Sequence, residues 1–107
     1  MTEIQDILDV SQVLASGKRL LLLFILKNEP KGYTNILKNF KEYGIPIGSS
    51  EIYKHLKTLM DGQYIVKSGK NYILTLKGFN VVNSVSDIIE TPPTIPRISM
   101  HFKTNNK

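Results

Sequence analysis

Between Gly48 and Gly62 the sequence GSSEIYKHLKTLMDG is written for a single amphipathic helix. Ile52, Leu56, Leu59 and Met60 stand at i, i+4, i+7 and i+8, the spacing of one helical face. At about 100° per residue, Ser50, Lys54, Lys57 and Thr58 fall on the far side, with Tyr53 on the shoulder. Gly48 occupies the N-cap position and Glu51 the capping-box position three residues later, while Ile47 can close on Ile52 as a hydrophobic staple. Gly62 is expected to stop the helix. One side of this segment is suited to packing and the other to meeting an anion.

The remaining periodicity arranges itself around that helix. Residues 3–15 set Ile4, Ile7, Leu8, Ser11 and Leu14 on one face, widened by Val10 and Val13, with three acids near the positive end of the helix dipole. This segment reads either as a first core helix or as a dimer helix whose stripe exceeds what a small core covers. Residues 18–28 (KRLLLLFILKN) are apolar on every side and predict a buried helix that ends at Pro30. Residues 32–43 repeat the helical spacing through Tyr33, Ile36, Leu37 and Phe40, and Gly44-Ile45-Pro46-Ile47 turns into the central helix. Two helices joined in this way form a helix-turn-helix.

After Gly62 the period falls to two. Residues 63–67 and 70–74 predict a hairpin with Ser68-Gly69 as its two-residue turn, Ile65 opposite Tyr72 and Lys67 opposite Lys70 at the tip. Thr75 can cap a last helix from Leu76 to about Glu90, where Phe79, Val82, Ser86 and Ile89 share one apolar face and Val81, Val85 and Ile88 an adjoining one. That surface can complete the core or pair with a second subunit. Thr91-Pro92-Pro93 ends it. The expected organisation is one domain over 1–90 and a Pro-containing basic tail over 91–107. The fold class is α+β, mainly α, with a two-stranded hairpin and flanking N- and C-terminal helices.

Charge is distributed unevenly. The chain of 107 residues carries a formal +5, and eleven of its fourteen Lys and Arg lie within 17–80. Residues 1–16 carry only Glu3, Asp6 and Asp9, and 81–90 only Asp87 and Glu90. A basic middle between acidic flanks favours a polyanionic partner for the middle. The absence of cysteine excludes disulfides, thiolate chemistry and thiolate-ligated metal. No basic n-region opens the chain, and the longest apolar run, Leu20 to Leu26, is far short of a membrane span. A soluble cytoplasmic protein is therefore expected. No acid pair, phosphate-cradling glycine loop or nucleophile constellation is present, so neither an enzyme nor a cofactor or metal site is expected. His55, at the edge of the packing stripe, reads as a packed or hydrogen-bonded histidine. His101 has no partner in view.

The segments LLLFILKNEPKGYTNIL, GIPIGSSEIYKHLKTLMDGQYIVK and NYILTLKG resemble the PadR family of winged-helix regulators. In that family a glycine–tyrosine pair, here Gly32-Tyr33, opens the helix before the recognition helix. A small-x-Ile-Tyr-x-x-Leu-x-x-Leu stretch, here Ser50 to Leu59, forms the recognition helix, and Tyr-x-Leu-Thr-x-x-Gly, here Tyr72 to Gly78, closes the wing. The segment VLASGKRLLLLFIL and the pair His55-Leu56 are similar to the ArsR group, without the cysteines of its metal sensors. The likeness covers residues 13–78. The wing is shorter than PadR proteins usually have, and the longer helical dimerisation region of many of them is missing or reduced.

The resemblance and the basic helix together imply a sequence-specific, double-stranded DNA-binding transcription regulator with a winged helix-turn-helix fold. Ser49, Ser50, Tyr53, Lys54 and Lys57, on a recognition helix of about 49–61, are expected in the major groove. Lys67, Lys70 and Asn71, on a wing of 66–72, are expected on the flanking backbone. Lys18, Arg19, Lys31, Lys38 and Lys41 are secondary phosphate candidates. A homodimer through the terminal helices is the expected assembly. The competing expectation is a winged-helix module that binds protein within a larger assembly.

Overall fold

The structure, a computed structural model, describes residues 3–95. It is α+β and mainly helical. Its elements run α1 (Glu3–Leu14), α2 (Gly17–Ile25), β1 (Lys31–Gly32), α3 (Tyr33–Glu42), α4 (Ser49–Asp61), β2 (Ile65–Ser68), β3 (Asn71–Leu74) and α5 (Leu76–Glu90). The strands form one antiparallel sheet in the order β1-β3-β2. This layout is compatible with a winged helix.

Helix α2 is the hub, in contact with each of the other four helices. Leu22 and Leu23 are fully buried, Ile25 and Leu26 nearly so, and Leu20, Leu21 and Phe24 pack against the same core. Its apolar surface on every side is thereby used. Ser16 starts the helix by accepting the Arg19 amide on its hydroxyl at 3.2 Å, which satisfies one of the unpaired first-turn donors. The helix ends at Ile25, earlier than its sequence predicts. The Leu26 and Lys27 amides close onto the carbonyls of Leu22 and Phe24, and the chain must be extended by Lys31 to enter the sheet. Pro30 therefore lies beyond the terminus and does not create it.

Helix α1 enters the core through Val13 alone, and its stripe of Ile4, Ile7, Leu8 and Leu14 is exposed. Helix α3 buries Ile36 and Phe40. Beyond it, Gly44 donates to Lys41 O and Ile45 to Phe40 O, the paired bonds of a Schellman motif, with Gly44 at φ +71°. That motif aims Ile45 and Ile47 inward and delivers the chain to Gly48, the N-cap of α4.

Helix α4 stops at Gly62 as expected, but its left-handed residue lies one place later. Gly62 has an ordinary helical φ of −81°, and Gln63 adopts the left-handed one at +66°. Gln63 donates to Met60 O and Tyr64 to Leu59 O, a second Schellman motif with a non-glycine residue at the strained position. Glycine is needed at 62 for another reason: a Cβ there would lie 2.7 Å from Tyr64 Cε2.

The sheet has three strands where the sequence predicts two. β1 pairs Lys31 with Tyr72 and Gly32 with Asn71, so β3 is the central strand. The hairpin register also differs from expectation. Ile65 lies opposite Leu74 and Lys67 opposite Tyr72, with Gly69-Lys70 as the two turn residues. Gly69 at φ +61° supplies the backbone that a primed hairpin turn with glycine first demands. The displacement is two residues along the partner, so Ile65 and Tyr72 keep their common buried face.

Thr75 locks the last helix to the sheet. Its hydroxyl lies 2.7 Å from Gln63 O and 3.1 Å from Tyr64 O, and accepts the Gly78 amide as the cap of α5. Only Val82 of the apolar residues of α5 is fully buried, and Leu76, Ile88 and Ile89 are exposed. Residues 91–95 follow in exposed backbone; the rest of the expected basic tail, with Arg97 and His101, lies outside the described residues.

Candidate nucleic-acid interface

Helix α4 divides as its periodicity requires. Ile52, Leu56 and Leu59 have no exposure at all and Met60 packs against them, which pins the helix rotationally. Ser49, Ser50, Tyr53, Lys54 and Lys57 are exposed on the opposite side. Lys57 pairs loosely with Asp61 at 3.1 Å, one turn along and in solvent, where such a pair contributes little. Lys54 makes no ion pair among the described residues, and its carbonyl accepts the Thr58 hydroxyl.

Tyr53 is the stacked member of this face. Its ring stacks on that of Tyr33 at 4.9 Å between centroids with the planes 3° apart. Tyr33 also packs against the core, so it joins the inner and outer sides of the helix pair. The two tyrosines form one wall of a cleft of about 490 Å³, whose other wall is the hairpin with Lys67, Lys70 and Asn71. Lys67 lies with its ammonium 5.5 Å from the Tyr72 ring centroid. Lys70 sits in the turn, so the two cations are not paired across the strands.

Anchoring of α4 is partly ionic. Lys18 Nζ donates to Glu51 Oε2 at 2.9 Å, while Gly48, having no side chain, leaves the expected capping box without its N-cap bond. The Lys18 hydrogen bond holds the Glu51 carboxyl below its ordinary range. Arg19 Nε donates to Nδ1 of the buried His55 at 3.4 Å. A guanidinium cannot accept, so Nδ1 is bare and the ring proton belongs on Nε2, which faces Glu51 Oε2 at 3.6 Å. Burial first, and then the Arg19 charge, pushes the His55 pKa down. A second guanidinium nitrogen of Arg19 donates to Gln12 O and ties down α1.

Among the secondary candidates, Lys18 and Arg19 are thus engaged within the chain. Lys31 Nζ bonds Asn39 Oδ1 at 3.2 Å, while Lys38 and Lys41 stand exposed on α3. Tyr33 is legible as part of a packing stripe and of the glycine–tyrosine pair that opens α3; its stacking on Tyr53, twenty residues later, leaves no mark in local spacing. Among the described residues no group of three or more His, Asp or Glu is placed to hold a metal ion, and no helix is long and apolar enough to cross a membrane.

No protein-family model, curated protein or solved structure matches the chain.

Proposed function

We propose that the chain is a winged-helix, sequence-specific binder of double-stranded DNA that regulates transcription. Helix α4 is the recognition helix and the β2–β3 hairpin is the wing. The carrying observation is the placement of exposed Ser49, Ser50, Tyr53, Lys54 and Lys57 on a helix whose other side is fully buried, with Lys67, Lys70 and Asn71 across one cleft from it. A B-form major groove admits one such helix. Serine hydroxyls beside the α4 N-terminus suit phosphate or base edges, and the hairpin lysines suit the flanking backbone. The PadR-like segments run from α2 through β1, α3, α4 and the hairpin to the start of α5, which agrees with this reading.

The assembly that fits is a homodimer through the apolar faces of α1 and α5, placing two copies of α4 about one DNA turn, ~34 Å, apart. The same exposed faces favour the second reading, a winged-helix module docked within a larger protein assembly.

The two readings separate on salt dependence. Affinity for mixed-sequence duplex DNA is expected to fall steeply with salt, with a Lys54→Ala, Lys57→Ala double variant lowering the log–log slope by about 2. Unchanged affinity and slope in that variant would remove α4 from the interface. Absence of duplex binding at low salt would favour the protein-docking reading.

A further inference from the structure

One side chain on the outward face of α4 rests in an aromatic stack. Ser49 and Ser50 are short, and Lys54 and Lys57 are long flexible stems. Tyr53 is the one braced by a ring, that of Tyr33 parallel to it at 4.9 Å. Yet it keeps 51% of its surface exposed. Tyr33 is tied to the rest of the fold on two sides. It is the first residue of α3, it packs on the core, and the Gly32 just before it pairs with Asn71 of β3.

A fixed aromatic edge in a groove reads what an aromatic edge can contact. Among base edges in the major groove, the apolar group is the thymine C5-methyl. A positively charged flexible side chain suits phosphate or guanine; a braced phenol ring suits that methyl. We infer that Tyr33 is a positioning residue that holds Tyr53 as a thymine-methyl reader, so the chain selects A·T-containing duplex sites. This rests on the DNA-binding reading above. Tyr53 makes the contact, and Tyr33 acts only through it.

The test compares poly(dA-dT) with poly(dA-dU), duplexes that differ by the C5-methyl, by fluorescence anisotropy at fixed salt. The wild-type chain is expected to prefer poly(dA-dT) by about fourfold, the factor for burying one methyl-sized group. Tyr53→Ala should erase the preference and keep the salt slope. Tyr33→Ala should reduce it, and Tyr33→Phe, which preserves the stack, should restore it; circular dichroism melting checks that each variant is folded. Equal binding of both duplexes by the wild type overturns the inference, as does a folded Tyr33→Ala that keeps the full preference. Tighter binding of single-stranded poly(dT) than of either duplex also overturns it, because the ring would then be stacking on unpaired bases. Failure to bind any of these DNAs at low salt would instead overturn the DNA-binding reading itself.

Discussion

The Lys18 ammonium lies 2.9 Å from Glu51 Oε2, joining α2 to the first turn of α4 across 33 residues of sequence. The same carboxylate faces His55 Nε2 at 3.6 Å. A residue whose sequence suggests a phosphate contact therefore orients the helix that carries the others.

Acid should loosen this junction in two stages. The folded pKa of His55 is depressed below 6.5, by burial first and then by Arg19. The unfolded chain takes that proton first, so the contribution is present above about pH 6.5 and is lost as pH falls through the folded value. The Glu51 pKa is depressed below 4.5, chiefly by the Lys18 hydrogen bond, and its contribution is lost as pH falls below that. Thermal melting followed against pH should show both losses. His55→Gln should flatten the first, and Glu51→Gln the second.

The end of α4 offers a stabilising substitution beside a destabilising one. Gln63 holds φ +66°, where a side chain costs roughly 1–2 kcal/mol. Gln63→Gly should raise stability by up to about 1 kcal/mol once the greater freedom of the unfolded glycine is allowed for. Gly62→Ala should lower stability by about 1–3 kcal/mol, because its Cβ would press on the buried Tyr64 ring. Urea midpoints at constant m-value would measure both.

Loss of the Thr75 hydroxyl should be costly for a half-buried threonine. It caps α5 and reaches two carbonyls at the α4–β2 junction. Thr75→Ala is expected to cost about 1–2 kcal/mol, read from the same denaturant curves.

The exposed apolar faces predict self-association. Ile4, Ile7 and Ile88 are each more than half exposed, beside Leu8 and Ile89. Sedimentation equilibrium at micromolar concentration should find a dimer, and an Ile7→Asn, Ile88→Asn variant should sediment as a monomer with an unchanged far-ultraviolet spectrum. A monomeric wild type would leave the two-helix geometry on DNA without support.

Local pattern carried the helices because their burial is local. Ile52, Leu56 and Leu59 sit where a 3.6-residue period puts them, and Thr75 caps α5 where its position implies. What depends on distant partners was not legible. β1 is two residues long and exists only because β3 pairs with it. The hairpin register escaped the hydrophobic pattern, since a shift of two residues preserves every face; only the φ of Gly69 decides it. The stripe of α1 left both a core helix and a dimer helix readable, and burial of Val13 alone leaves the rest of that stripe exposed. On the candidate interface, the outward set on α4 could be read directly, but the engagement of Lys18 and Arg19 and the brace on Tyr53 span separations that no periodicity encodes.

Two residues of β1 also determine how the hairpin can behave. Because Lys31 and Gly32 stitch the central strand to the start of α3, the hairpin is no free flap hanging from α4. In the proposed DNA-binding reading, helix and hairpin would meet the duplex already set at one spacing, with less ordering entropy to lose on docking than a free hairpin would have.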